Sequence, residues 1–184
     1  MTLPDELITR RLVLRRRRAP YLEELWERVT DSTPELGRFL AWAIEPDLAE
    51  SRAFYAETEK EWDRGLAWGF TIFRDDLAIG DIGLAGYKPL VQACEVGYWM
   101  STDHSGQGYM TEACSAVVDF GFTYVGLHRI ELHASPDNIA SVRVAEKIGF
   151  TREGLLRDGS RGRGGYHDVY VYGLLDSDPR VKFH

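Results

Sequence analysis

Cysteine is scarce in this chain: Cys94 and Cys114 are the two among 184 residues, and no Cys-x-x-Cys or Cys/His spacing accompanies them. A disulfide scaffold and a zinc module are therefore excluded, and a reducing cytoplasm is the simplest setting. The five histidines, at 104, 128, 133, 167 and 184, show no His-Glu-x-x-His or other ligand spacing, so no metal is expected. No run approaches the roughly 18 apolar residues that cross a bilayer. The opening MTLPDELITRRLVLRRRR also lacks the apolar stretch of a secretory signal. A cytoplasmic location without a membrane partner is expected. Basic residues are the minority, 22 lysines and arginines against 29 acidic side chains. That balance argues against a protein that grips phosphate backbones over a broad surface, and no direct nucleic-acid binding is expected.

What the chain does have is core material, with 44% hydrophobic and 12% aromatic residues. At roughly 150 residues per domain the length suits one compact unit, read as a single domain over 1–184. Charge is uneven along it. Residues 1–20 hold six arginines against Asp5 and Glu6, whereas residues 21–76 hold six basic against fourteen acidic side chains. The acidic stretch is either a solvated helical surface or a field that steers a cationic substrate. Arg15 to Arg18 follow the strand-like run ITRRLVL and read as a solvated strand end, with a nucleic-acid patch as the sharper alternative.

Periodicity organises the rest. Residues 7–17 predict a first strand, and Ala19-Pro20 opens a helix with Leu22, Leu25, Trp26 and Val29 at helical spacing. A breaker-rich stretch at Ser32, Pro34 and Gly37 should end it, and a second helix should run from Asp47 to about Gly65. LAWGFTIF, LAIGDIGLAGY and CEVGYWM read as an antiparallel meander. A long helix from about Tyr109 to Gly126 follows, then the strand HRIELHA, and then a helix through Lys147 that Asp137 or Asn138 can cap, with Gly149 just beyond. Two last strands, about 151–157 and 167–175, flank a flexible connection, DGSRGRGGY. The seven strands and four helices predict an α/β (α+β) architecture with a mixed, mostly antiparallel sheet and helices on both faces.

One loop carries chemistry. Ser105-Gly106-Gln107-Gly108-Tyr109-Met110 lies between CEVGYWM and the long helix. Glycines at 106 and 108 allow a sharp turn that points several N–H groups at one spot, and the helix N-terminus adds partial positive charge. Together these suit a diphosphate. The plainer alternative is a corner turned by two glycines. The run lacks the lysine of a Walker loop and the third glycine of the Rossmann fingerprint.

Three runs in order, CEVGYWMSTDHSGQGYMTEA, HRIELHASPDNIASVRVAEKIGF and YHDVYVYGLL, resemble the GNAT acetyltransferase superfamily, and within it the RimJ/RimL branch of ribosomal-protein N-terminal acetyltransferases. The resemblance is strongest over 79–175 and reaches almost the whole chain through the ITRRLVLR opening. It implies acetyl-CoA as co-substrate and a central parallel strand pair that splays. It puts the pyrophosphate on Gly106, Gln107, Gly108, Tyr109 and Met110, and the pantetheine beside Tyr98, Trp99 and Met100. Asn138 and Ser141 match the branch's Asn-x-x-Ser element. On the plainer reading, Asn138 caps its helix and Ser141 faces solvent. Many relatives carry a tyrosine acid three residues before the Gly-Phe pair. That position is Ala145 here, so Ser141 takes its place as a donor to the sulfur. Some RimL-like members carry a glutamate six residues before the tyrosine of YHDV, a position held by Ser160, which cannot serve as base. Phe39 and Trp42 fall where this fold meets its acceptor. Dimerisation is a further expectation that the resemblance carries.

Acyl transfer to an amine needs a neutral nucleophile, a polarised carbonyl and a stabilised leaving thiolate. An α-amine with a pKa of about 8 is roughly one-tenth neutral at pH 7, whereas a lysine at about 10.4 is neutral in about one molecule in 2,500, a difference of about 3 kcal/mol. A protein N-terminus therefore needs only a weak base. Glu95 is the candidate, because alternation along CEVGYWM sends Glu95 and Gly97 to one face and Val96 and Tyr98 to the other. A structural ion pair is the competing role for Glu95, and Asp168 reads as structural. The backbone near Gly97 and Tyr98 would meet the carbonyl oxygen. The leading expectation is an N-acetyltransferase acting on a protein or peptide N-terminus by direct attack in a ternary complex. A small-molecule amine such as a polyamine or an antibiotic is the alternative acceptor, and a non-catalytic acyl-CoA sensor is the alternative class.

Overall fold

The computed structural model describes residues 3–183. Its single sheet has eight strands: β1 (Glu6–Ile8), β2 (Val13–Arg16), β3 (Trp68–Arg74), β4 (Leu77–Lys88), β5 (Ala93–Met100), β6 (Arg129–Ala134), β7 (Thr151–Gly162) and β8 (Gly165–Leu175). They lie in the order β1-β2-β3-β4-β5-β6-β8-β7, and all neighbours are antiparallel except β5 and β6. The helices are α1 (Ala19–Leu36), α2 (Leu48–Arg64), α3 (Tyr109–Phe120, continued by a π turn over Gly121–Val125) and α4 (Ile139–Ile148). Among the described residues no helix is long and apolar enough to cross a membrane.

Local signals explain most of these boundaries. The Asp47 carboxylate accepts the Glu50 N–H at the start of α2, and the helix ends on Gly65 in the left-handed region. Asn138 caps α4 in the same way by accepting the Ser141 N–H, and Gly149 terminates it. The buried side of α3 rests on β4 and β5, with Leu84, Leu127 and Ile130 crowding its Gly121. Leu25 of α1 meets Phe73 and Ala78 on the other face of the sheet.

Three expectations need correction. The first strand is two strands, because Thr9 closes a tight turn: its N–H donates to the Leu12 carbonyl, and its hydroxyl accepts the Leu12 N–H. The count is therefore eight rather than seven. Helix α1 ends at Gly37, inside the breaker-rich stretch as expected, and runs through Pro34 because a proline in the last turn forfeits only one backbone bond. The glycine- and arginine-containing connection is mostly strand, with only Arg163 and Gly164 between β7 and β8. Finally, Arg15 to Arg18 are not a solvated strand end. Arg17 is buried against Asp81, which also accepts the Tyr55 hydroxyl, and Arg15 and Arg16 pair with carboxylates on neighbouring elements.

The feature that makes the site is a parting of strands. Strands β5 and β6 pair only where Ala93, Cys94 and Glu95 face Arg129, Ile130 and Glu131. From Val96 onward β5 stays with β4 while β6 stays with β8. At this level β4 carries a register shift between Ala85 and Lys88. A bulge of this kind bends and over-twists the strand that holds it, and so swings β5 away from β6.

Candidate active site

The gap between β5 and β6 opens into a cavity of about 710 Å3 that runs from the start of α3 to Gly159, Ser160 and His167 on the β7–β8 hairpin. Its first end is the Gly106–Met110 turn. Gly106 and Gly108 have φ of +74° and +81°, values that side chains rarely adopt, and this twist sets the turn ahead of α3. Gly108 is the N-cap and no side chain caps α3, so the first-turn N–H groups face the cavity uncapped. Such an N-terminus attracts a phosphate. Met110, Tyr109 and both glycines line the cavity. Gln107 does not: its side-chain amide donates to the Asp103 carbonyl, while its own carbonyl accepts from Arg11. Arg11 also pairs with the buried Glu112 of the first turn and lies over the Tyr109 ring, which ties β1–β2 to the base of the loop.

The middle of the cavity lies between the parted strands. Tyr98, Trp99 and Met100 line it from β5, and Asn138 and Ser141 from α4. Ser141 is buried rather than facing solvent, and its Oγ lies 2.8 Å from the Tyr98 hydroxyl. Burial beside α3 holds Tyr98 well above the ordinary phenol range, so its hydroxyl keeps its proton. The neighbouring thiols are inert for the same reason. Burial pushes Cys94 up to about 12 and raises Cys114 as well. A side chain built on Gly97 would meet nothing within 4 Å, so the β5 backbone at this point fronts open space.

The alternation read from CEVGYWM holds for burial, with Glu95 and Gly97 exposed and Val96 buried between them, while Val96 and Tyr98 line the cavity as well. The Glu95 carboxylate lies 3.4 Å from His133 Nδ1 on β6. Phe39 lines the cavity beside the β7–β8 hairpin, edge-on to His167 of β8. Trp42 does not reach the cavity. It packs edge-on against Trp99 and backs the wall from outside. Asp168 accepts the Asp158 N–H and holds the β7 irregularity.

Sequence reasoning missed several lining residues. His133 lines the cavity beside Glu95, Glu35 lines it beside Thr102, and Arg143 and Lys147 line it from α4. His133 could have been found by alternation along HRIELHA, which puts it with Glu131 on the Glu95 side. Arg143 and Lys147 sit four apart on one helix face, a spacing that patterning also shows. The role of Arg163 was not legible. Its N–H donates to the Gly37 carbonyl, and its guanidinium donates to the carbonyls of Thr33 and Ile44, clamping the hairpin tip to the segment after α1. Gly162 makes the approach possible, because a side chain there would collide with the Arg38 backbone.

An uncapped helix N-terminus behind a glycine turn, a slot between splayed strands and a hydroxyl and a carboxylate along it are the groups that an acyl transfer can use. Residues 11–151 match the model of the acetyltransferase (GNAT) domain. The chain belongs to the GNAT acetyltransferase family and is an N-acetyltransferase. It is 31% identical over 176 residues to the uncharacterized N-acetyltransferase p20 of Bacillus licheniformis, covering 93% of this chain and 96% of that protein. It is 35% identical over 115 residues to the ribosomal-protein-serine acetyltransferase of Escherichia coli, covering 62% of this chain and 64% of that one. Among solved structures, the ribosomal L7/L12 alpha-N-protein acetyltransferase RimL in complex with coenzyme A superposes with a TM-score of 0.86 at 26% identity, over 96% of this chain and 99% of that chain.

Proposed function

We propose that this chain acts as a single GNAT domain over 1–184 and transfers the acetyl group of acetyl-CoA to the N-terminal α-amine of a protein, by direct attack in a ternary complex. The observation that carries the reading is the continuity of one cavity from the uncapped α3 N-terminus, past Ser141, to Glu95. The residues present fit the co-substrate. The open N–H groups of the Gly106–Met110 turn suit its pyrophosphate, and the parted strands leave room for an extended arm. Acetyl-CoA supplies an activated thioester. The RimL complex with coenzyme A supports this choice, as the ribosomal-protein acetyltransferases support the acceptor. A cytoplasmic setting agrees with two free, buried thiols.

Each protein group then has a task. One β5 backbone N–H at Gly97–Tyr98, the one that points away from β4, donates to the oxygen that gains negative charge. Ser141 donates a hydrogen bond to the departing sulfur, and its role is stabilisation because a serine hydroxyl is a weak acid. Glu95 receives the amine's proton directly or through water, with His133 beside it. Phe39 and His167 form the wall against which the acceptor's first residue rests.

The test measures release of free CoA thiol from acetyl-CoA with four acceptor sets: short peptides with free N-termini, N-blocked lysine peptides, polyamines and aminoglycosides. Turnover confined to free N-termini is the expected result. Turnover confined to polyamines or aminoglycosides would replace the acceptor class, and tight CoA binding with no turnover on any set would mark a sensor.

A further inference from the structure

The family resemblance leaves a gap in this chain, because the helix position where many relatives carry a tyrosine acid is Ala145, fully buried and without a functional group. A phenol nevertheless reaches the same slot from the other wall. Tyr98 projects from β5 and Ser141 from α4, and their oxygens lie 2.8 Å apart across the cavity, between residues 43 positions apart in the chain. The Ser141 backbone N–H is already bound to the Asn138 side chain at 3.1 Å, which holds the first turn of α4 in place.

We propose that Tyr98 is a positioning residue for the transfer step, acting through Ser141: the phenol donates to Ser141 Oγ and leaves the serine's own proton free to donate to the departing sulfur. This deepens the proposed function and rests on it. The direction of the bond follows from acidity. Burial raises both hydroxyls, and in shared surroundings a phenol stays more acidic than an alkyl hydroxyl, so between the two the phenol is the better donor. A serine that accepts from Tyr98 also becomes a better donor, because hydrogen bonds in a chain polarise one another. In the step itself the amine nitrogen forms the new bond to the acyl carbon, and the amine's proton goes to Glu95. The carbon–sulfur bond breaks with its electron pair remaining on sulfur. The Tyr98–Ser141 chain meets that charge without giving up a proton. Burial suits the task, since Tyr98 stays protonated throughout the working range.

The experiment titrates the thiol of bound CoA by its ultraviolet thiolate absorbance, which needs neither acceptor nor turnover. Calorimetry of CoA binding runs alongside it. The parent should hold the bound thiol at a lower pKa than free CoA, and Tyr98→Phe and Ser141→Ala should each raise it by about one unit, a tenfold change in thiolate population. The double variant should behave like Ser141→Ala alone, because Tyr98 acts only through Ser141. In turnover with the best acceptor of the panel, Tyr98→Phe should lower kcat about tenfold and leave the KM for acetyl-CoA unchanged. A bound thiol that moves with Ser141→Ala and stays put with Tyr98→Phe overturns the proposal while leaving the transferase reading intact. Additive effects in the double variant also overturn it, by making the two hydroxyls independent. Failure of the parent to bind CoA would overturn the transferase reading itself. Tyr98→Phe keeps the ring that packs under α3, and Ser141→Ala probes the same bond from the other side should the first variant lose its fold.

Discussion

His133 and Glu95 stand 3.4 Å apart on two strands that have just stopped pairing. The last paired residue of β5 is Glu95 itself, so its carboxylate sits at the fork where the sheet opens. A carboxylate in the middle of a paired strand would face a neighbour. At the fork it faces the cavity and a titratable imidazole.

Glu95→Gln should therefore lower kcat at neutral pH about a hundredfold if Glu95 takes the amine's proton. The loss should shrink as pH rises past about 8, where an α-amine is already neutral. A pH–rate profile of parent and variant checks it, and a profile that is merely scaled down at every pH would assign Glu95 a structural role.

The turn before α3 depends on two glycines in the left-handed region. Gly108→Ala should raise the Kd for CoA about tenfold, because an alanine there costs about 1–2 kcal/mol and the chain relieves it by distorting the cradle. Calorimetry with CoA gives the answer, and thermal melting of the apo protein separates a local distortion from a loss of fold.

Arg143 and Lys147 present two exposed cations to the same cavity from one face of α4. Replacing both by glutamine should weaken CoA binding and flatten its dependence on salt, since phosphate contacts made by exposed charges are screened. Binding isotherms across a range of ionic strength test this, and an unchanged salt slope would remove these residues from phosphate recognition.

Glu112 is buried, and burial alone would raise its pKa. Bonds from the Thr9 hydroxyl and from the Arg11 side chain and backbone outweigh that, and hold it below the ordinary glutamate value. A depressed folded-state pKa stabilises the protein above the unfolded value, and the stabilisation is lost as pH falls through the folded one. Glu112→Gln should thus cost about 2 kcal/mol at pH 7 and progressively less below about pH 4. Urea melts at both pH values measure it.

Breaking the Arg17–Asp81 pair from one side should be more damaging. Both side chains are buried on the α1 side of the sheet, and Tyr55 and Thr71 complete the shell around Asp81. Arg17→Met should cost about 3–5 kcal/mol by leaving an uncompensated carboxylate, and adding Asp81→Leu should recover part of that loss. Equal losses in the single and the double variant would mean that packing, not charge, sets the cost.

Much of this molecule is legible along the chain. The helices announce themselves through caps and apolar spacing: Asp47 and Gly65 bracket α2, and Asn138 and Gly149 bracket α4, as the local rules require. The alternation of CEVGYWM is enough to put Glu95 on the exposed face of β5. The sharp turn before α3 is legible too, because Gly106 and Gly108 permit the left-handed backbone that it needs. Where local patterns mislead, the cause is contact with something distant. Arg17 looks like a surface charge because its partner Asp81 is 64 residues away. Trp42 looks like an acceptor contact, but Trp99 stands between it and the cavity. The hairpin looks like a flexible connection, and Arg163 stiffens it by meeting the carbonyls after α1.

By itself the sequence determined the four helices with their caps and buried faces, the central strands and the glycine turn ahead of α3, all of which follow from residues no more than four apart. Only the tertiary structure decided that β5 leaves β6 after Glu95, that Tyr98 meets Ser141 across the gap, and that the hairpin tip closes over the segment after α1. Those are matters of strand register and chain crossing. Their energy comes from groups brought together over long loops, and no local pattern encodes which distant partner will arrive.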